Sequence, residues 1–265
     1  MSTVLAAIDG SPTSRAVLAV AREVARVLGA EVDPVHVVEK DAGTAEIEVW
    51  GGETPLRLLR GDPAGVLIAE TSAASVAAVV VGSSRTAGGT STVGRVSLAV
   101  IGNVRKPVVI VPPTTPEDYT LRTVLVPVLR KPVSVLEEVV RLAENPQLHV
   151  VILRLLDELS IPSFEDQSYY DVQAWAEEFL ARWVPGAGSD TEVEVRIGPP
   201  EELVVSVAHE VSADIVAIGR RRDLPAAGAP IVVSALEHSP VPVILVPLVR
   251  RPARVVEPPD VEPVG

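Results

Sequence analysis

The chain has 265 residues, with 35 acids against 23 bases, a net charge of −12 and no cysteine. That charge repels nucleic-acid backbones and anionic lipid surfaces, so neither nucleic acid nor membrane is expected as a partner, and the missing thiols exclude disulfides and thiolate metal sites. With 47% apolar but only 3% aromatic residues, and no apolar run near the length of a membrane span, two soluble cytoplasmic domains with cores of Val, Leu, Ile and Ala are expected.

Val4-Leu5-Ala6-Ala7-Ile8 reads as a short buried strand. Ser11 is predicted as an N-cap and Pro12 as the first helical residue. The helix that follows places Val17, Val20, Val24 and Val27 on one face and stops at Gly29. Residues 32–38 form the second predicted strand. From 39 to 54 no helical stripe is present, and Ile47, Val49 and Trp50 are expected to patch an open face of the sheet. Residues 56–59 are the third strand, and in Gly61-Asp62-Pro63-Ala64 the proline opens another helix.

Residues 76–82 are an unbroken apolar run rich in valine, as in a strand buried on both faces of a parallel sheet. The run ends at Gly82 and opens into a loop of glycine, serine and threonine that carries Arg85 and Arg95. Helical spacing resumes at Val96, with Val100 and Val104 on the same side. Strand, small-residue loop and helix place unpaired backbone N–H groups around an anion, for which phosphate is the first guess. The spacing fits neither the dinucleotide fingerprint nor the P-loop. A fifth strand at 107–111 precedes the linker Pro112-Pro113-Thr114-Thr115-Pro116.

The pattern then repeats. Val124-Leu125-Val126-Pro127-Val128 returns to the first strand 120 positions later. Gly198-Pro199-Pro200-Glu201 and the run Ile215-Val216-Ala217-Ile218-Gly219 return to the third turn and fourth strand 137 positions later. The chain is therefore a tandem repeat. The 17 extra positions in the second copy hold Val172, Trp175, Ala176, Phe179 and Trp183 at helical spacing, a helix that the first copy lacks. The expected fold is α/β: two tandem doubly wound five-stranded parallel-sheet domains, at 1–113 and 121–248, with a disordered tail at 249–265. The fifth strands, 107–111 and 242–246, are expected to cover each other's open edges and make an intrachain pseudo-dimer. A homodimer is the other way to cover the thin face of the first repeat.

Both repeats resemble the universal stress protein family in its tandem form, over roughly residues 3–112 and 122–247. The resemblance rests on Asp9-Gly10-Ser11 after the first strand, His36-Val37-Val38-Glu39 in the second and Gly61-Asp62-Pro63-Ala64 after the third. The glycine loop after the fourth strand and Lys106-Pro107-Val108 at the fifth complete it. It implies a Rossmann-like domain of the adenine nucleotide alpha hydrolase-like kind. Members that bind ATP look like G-x-x-G, nine residues, then G-(S/T). Here Gly82 matches the first glycine, Arg85 stands at the second, and Gly94 matches the third in a loop one residue shorter. Arg95 replaces the small residue that follows.

Carried over, the resemblance implies that Asp9 accepts hydrogen bonds from ribose and that Val37 meets adenine through its backbone. Gly82 would let the sugar approach, and Gly94, Arg95, Val96 and Ser97 would cradle phosphates. The implied ligand is ATP, with AMP and ADP as alternatives and magnesium held only through the phosphates. The second repeat has Leu129 and Arg130 in place of Asp-Gly, and Ala229, Pro230 and Val232 at the phosphate positions; its site reads as dead. The implied function is a non-catalytic adenine-nucleotide-binding stress-response regulator, with nucleotide held by the first repeat only. The alternative is a nucleotide-free structural or interaction module with both loops degenerate. No nucleophile–base set, metal cluster or carboxylate pair can be read from spacing, so no enzyme is expected. His36 reads as a packed core residue, and Arg220-Arg221-Arg222 as a solvated loop.

Overall fold

The structure, a computed structural model, describes residues 1–39, 55–85, 91–128, 145–156, 180–181, 190–220 and 230–247. The expectations for Ile47, Val49 and Trp50, for Leu129 and Arg130, for the helix from Val172 to Trp183, for Ala229 and for the tail lie outside the described residues.

In the first half of the chain come β1 (Thr3–Ala7), α1 (Thr13–Leu28), β2 (Glu31–Val38), β3 (Arg57–Arg60), α2 (Pro63–Glu70) and β4 (Val76–Gly82). The short strands β5 (Ser84–Arg85) and β6 (Ser91–Thr92), then α3 (Arg95–Asn103) and β7 (Val108–Val111), complete it. The second half contributes β8 (Thr123–Val128), β9 (His149–Leu156), β10 (Thr191–Ile197), α4 (Pro200–Glu210), β11 (Ile215–Arg220), α5 (Pro230–His238) and β12 (Val243–Pro247).

Ten strands form one sheet in the order β10-β9-β8-β11-β12-β7-β4-β1-β2-β3. Each half repeats one internal order, and its neighbours pair in parallel. The halves meet where β7 and β12 run antiparallel, with Val108 opposite Leu245, Val109 opposite Ile244 and Ile110 opposite Val243. Prolines at 107 and 242 lead into both strands, and their joining turns two edges into a continuous ladder.

The apolar runs of the strands split by alternation onto two faces. Val4, Ala6, Ala78, Val80, Val109 and Val111 pack under Val17, Val20 and Val24 of α1, and the same layer continues through Val124, Val126, Val150 and Ile152. Leu5, Val79, Val81, Val108 and Ile110 face the other way, against Leu67 of α2 and Val100 and Ile101 of α3. On that side the layer runs on to α4 and α5 through Val204, Val207, Ile231 and Leu236. Each fully buried valine or leucine contributes about 1.5–3 kcal/mol, so small aliphatics on both faces build most of this core, with Tyr119 as an aromatic member.

The entry to α1 departs from expectation. The helix starts at Thr13; Pro12 sits at the N-cap position with φ −54° and ψ −27°, and no side chain caps the helix. Ser11 contributes its carbonyl to Ser14 N–H at 2.9 Å, and its own amide donates to Asp9 Oδ1 at 2.9 Å. At its far end α1 stops as expected, with Gly29 at φ 60°, a left-handed conformation that favours glycine.

The connection between the halves is held down. Glu23 of α1 accepts from Leu121 N–H at 2.9 Å, and Arg26 donates to the Leu121 carbonyl at 2.8 Å. The Tyr119 hydroxyl donates to the Asp214 carbonyl at 3.0 Å, while the Asp214 carboxylate accepts from Arg122 and Thr123 N–H groups at 2.8 Å each.

Candidate functional site

In each half the strand order changes direction between the first strand and the fourth, and a crevice opens at the carboxyl ends of such strands. In the first half that crevice is a cleft of about 810 Å³ beyond the ends of β1, β2 and β4, of the size that holds small organic ligands. Asp9, Val37, Gly82, Gly94, Arg95, Val96 and Ser97 all line it. Four separate stretches of sequence therefore converge on one space.

Asp9 follows β1 and is fixed by its own loop. Its Oδ1 accepts from the Ser11 amide at 2.9 Å and from the Ser14 hydroxyl at 3.2 Å. Burial alone would push the Asp9 carboxyl up, but the hydrogen bonds from Ser11 and Ser14 outweigh it and hold the group below its ordinary value. Asp9 is thus an oriented carboxylate at neutral pH.

The loop after β4 returns through the antiparallel pairing of β5 with β6, Ser84 opposite Thr92 and Arg85 opposite Ser91. This pairing, which sequence spacing did not reveal, brings the start of α3 back beside the end of β4. There the Ser97 hydroxyl, almost fully buried, donates to the Gly82 carbonyl at 2.9 Å. A Cβ added at Gly82 would lie 3.4 Å from Thr13 Cγ2 and 3.5 Å from Val17 Cγ2, in ordinary van der Waals contact with two cleft-lining residues.

Gly94 occupies the N-cap of α3 with φ −63° and ψ 159°, and no side chain caps the helix. By contrast, Asp62 caps α2, accepting from Gly65 N–H at 2.7 Å. The first N–H groups of any helix lack intrahelical partners and carry the positive end of its dipole. In α2 a carboxylate meets them; in α3 Arg95, Val96 and Ser97 present them in the cleft, with the exposed Arg95 guanidinium adding a full charge nearby.

Sequence spacing missed several lining residues: Ser14, His36, Glu39 and Ser83 among them. His36 is only half-buried, not a fully packed core residue, and its Nδ1 donates to the Ile8 carbonyl at 2.7 Å. A carbonyl can only accept, so in the neutral ring Nε2 carries no proton. At the equivalent place in the second half stands Arg154, opposite Val128 in the ladder; its guanidinium donates to the Val128 carbonyl at 3.2 Å. A clue was available, since the two positions lie at the same step of the repeated second strand.

Arg220 contradicts its expected place in a solvated loop. It ends β11 and is 8% exposed. The strand runs one residue further than the apolar pattern, and the guanidinium is met by backbone carbonyls instead of water. Among the described residues no three His, Asp or Glu side chains stand where they could share a metal ion, and no helix is long and apolar enough to cross a membrane.

Residues 120–247 match the family model described as Universal stress protein family. No curated protein matches the sequence. Among solved structures the chain is similar to a universal stress protein from Archaeoglobus fulgidus DSM 4304, at 18% identity and a TM-score of 0.66, over 92% of this chain and 98% of that one. It is also similar to a functionally unknown protein from Pseudomonas aeruginosa PAO1, at 11% identity and a TM-score of 0.65, over 94% and 93% of the two chains. At such identities the likeness shows the fold.

Proposed function

We propose, from the match of residues 120–247 to the universal stress protein family model, that the chain belongs to that family and binds one adenine nucleotide, in the cleft of its first repeat, without turning it over. The observation that carries this reading is the convergence of Asp9, Val37, Gly82 and the uncapped start of α3 on a single cleft of about 810 Å³. Its two ends differ in charge as a nucleotide requires. Asp9 is an oriented acceptor suited to ribose hydroxyls, and the N–H groups of Arg95, Val96 and Ser97 are donors suited to phosphate. Val37, near the end of β2 and in the cleft lining, is the residue whose backbone adenine would meet. ATP is the ligand proposed, with magnesium carried on its phosphates. The residues at the cleft would bind and orient it.

The second repeat, residues 121–248 in this reading, supports one site per chain. Pro230 begins α5 and has no N–H to offer an anion. Val232 is buried where Ser97 stands in the first repeat, and Arg154 stands where His36 stands. The repeats then work as an intrachain pair, with one binding partner and one supporting partner.

Calorimetric titration of the full chain with ATP tests the reading, the expected result being one site per chain. Two sites per chain would overturn the assignment to the first repeat alone. No heat at millimolar ATP would overturn nucleotide binding and leave a ligand-free scaffold.

A further inference from the structure

Arg220 belongs to the second half of the sheet, yet its side chain crosses to the first. One of its amino groups donates to the Ile101 carbonyl and the other to the Val104 carbonyl at 2.8 Å. Ile101 lies in the last turn of α3 and Val104 is its C-cap. The final carbonyls of a helix have no intrahelical partners and carry the negative end of its dipole. A guanidinium is a planar fork that can satisfy two such carbonyls at once. Arg220 is therefore the C-terminal cap of α3, supplied by the other repeat.

The opposite end of the same helix is the uncapped N-terminus in the cleft. β6, which leads into it, lies against α5 of the second repeat. Both ends of the phosphate-loop segment are thus braced from across the β7–β12 seam. The arrangement is one-sided. The position equivalent to Arg220 in the first repeat, 137 residues earlier, is Ser83, whose side chain is too short to cross.

We propose that Arg220 is a positioning residue for the phosphate half of the nucleotide site: the second repeat holds α3 so that its N-terminal N–H groups stay aimed into the first repeat's cleft. This rests on the nucleotide-binding reading above. Its effect should grow with the phosphate charge of the ligand, because it acts through the helix that meets the phosphates and adds a cation at that helix's negative end.

The test compares the wild-type chain with Arg220→Met and Arg220→Lys, titrating each with ATP, AMP and adenosine. Arg220→Met is expected to weaken ATP by about tenfold, AMP by less and adenosine by less than about twofold. Arg220→Lys, which keeps the charge but loses the fork, should fall between. Loss of ATP and adenosine affinity in equal measure would reveal a general structural role and overturn the proposal, as would unchanged ATP affinity in both variants. A second measurement needs no ligand: amide exchange at residues 100–103 should be faster in both variants, and unchanged exchange would overturn the clamp itself. Wild-type protein that ignores ATP, with exchange still faster in the variants, would overturn the nucleotide reading and the positioning role built on it, while leaving the clamp as a structural contact.

Discussion

Asp9→Asn separates the loop-holding contacts of the Asp9 carboxylate from its proposed role as a ribose acceptor. Its Oδ1 holds the loop by accepting from the Ser11 amide and the Ser14 hydroxyl, and an asparagine Oδ1 can keep both bonds. What changes is the charge and the second oxygen, which becomes an NH₂ donor and can no longer accept from ribose. Hydrogen bonds to a charged group contribute about 1.5–3 kcal/mol, which corresponds to roughly 10–150-fold in affinity at 1.4 kcal/mol per decade. Wild-type protein at ~100 times its dissociation constant for ATP should gain about 2.7 kcal/mol of stability. A tenfold weaker variant at the same ATP concentration gains about 1.4 kcal/mol, and a hundredfold weaker one about 0.4 kcal/mol. For a chain of this length each kcal/mol moves the melting temperature by about 2–4 °C, so a shift of roughly 5–10 °C in wild type should fall to a few degrees or less. Calorimetry supplies the affinities and thermal unfolding with and without ATP supplies the shifts. Asp9→Asn binding ATP within about twofold of wild type, with its unliganded melting temperature unchanged, would refute the ribose-acceptor role and leave Asp9 only the loop.

The remaining predictions concern stability. Burial raises the Asp9 and Glu23 carboxyls, but stronger hydrogen bonds, from Ser11 and Ser14 and from Arg26 and Leu121, hold both below their ordinary values of 3.8 and 4.5. The unfolded chain therefore binds more protons, so their contribution is present above those ordinary values and is lost as pH falls through the lowered ones. The denaturant midpoint should drop on acidification below about pH 4.5, and Glu23→Gln should flatten part of that slope; an unaltered slope would count against the Leu121 and Arg26 contacts. At the seam, amides of Val108 to Ile110 should be among the slowest to exchange, and Val109→Pro, which removes a donor from an interior strand, should lower the midpoint of chemical unfolding. Exchange as fast as in an unstructured chain would mean that β7 and β12 do not pair.

Elements with a local cause were legible in the sequence. The run at 76–82 ends as β4 at the glycine that stops it, and α3 begins at Arg95, next to the Val96 where helical spacing resumes. The tandem order of strands is visible because the landmarks recur in the same order, displaced by 120 positions at the first strand and by 137 at the third turn and fourth strand, and that order is what the sheet displays on both sides of the β7–β12 seam. The cleft lining was legible through family resemblance at Asp9, Val37, Gly82 and Gly94 to Ser97, because these residues lie at or just past the carboxyl ends of strands, or at the start of the next helix, which the topology must bring together. Ser11 was misread because an N-cap preference is an average over helices. In this loop the Ser14 amide, which a side-chain cap from Ser11 would take, donates instead to the Ser11 carbonyl, while Asp9 accepts from the Ser11 amide and the Ser14 hydroxyl.

Arg220 was illegible for a different reason. Within its own repeat it follows a glycine and precedes two more arginines, and nothing local separates it from a solvated basic loop. Its partners, Ile101 and Val104, lie more than a hundred positions away, and they are backbone carbonyls, so no complementary acid marks them in the sequence. Only the antiparallel joining of β7 to β12 brings the end of β11 within reach of the end of α3. A buried guanidinium is tolerated there because helix-terminal carbonyls already need donors, so one contact relieves two unsatisfied groups and the desolvation of a third. Truncating the second half would remove the cap of α3, the backing of β6 and the partner of β7 together, and all three border the segment that lines the first half's cleft.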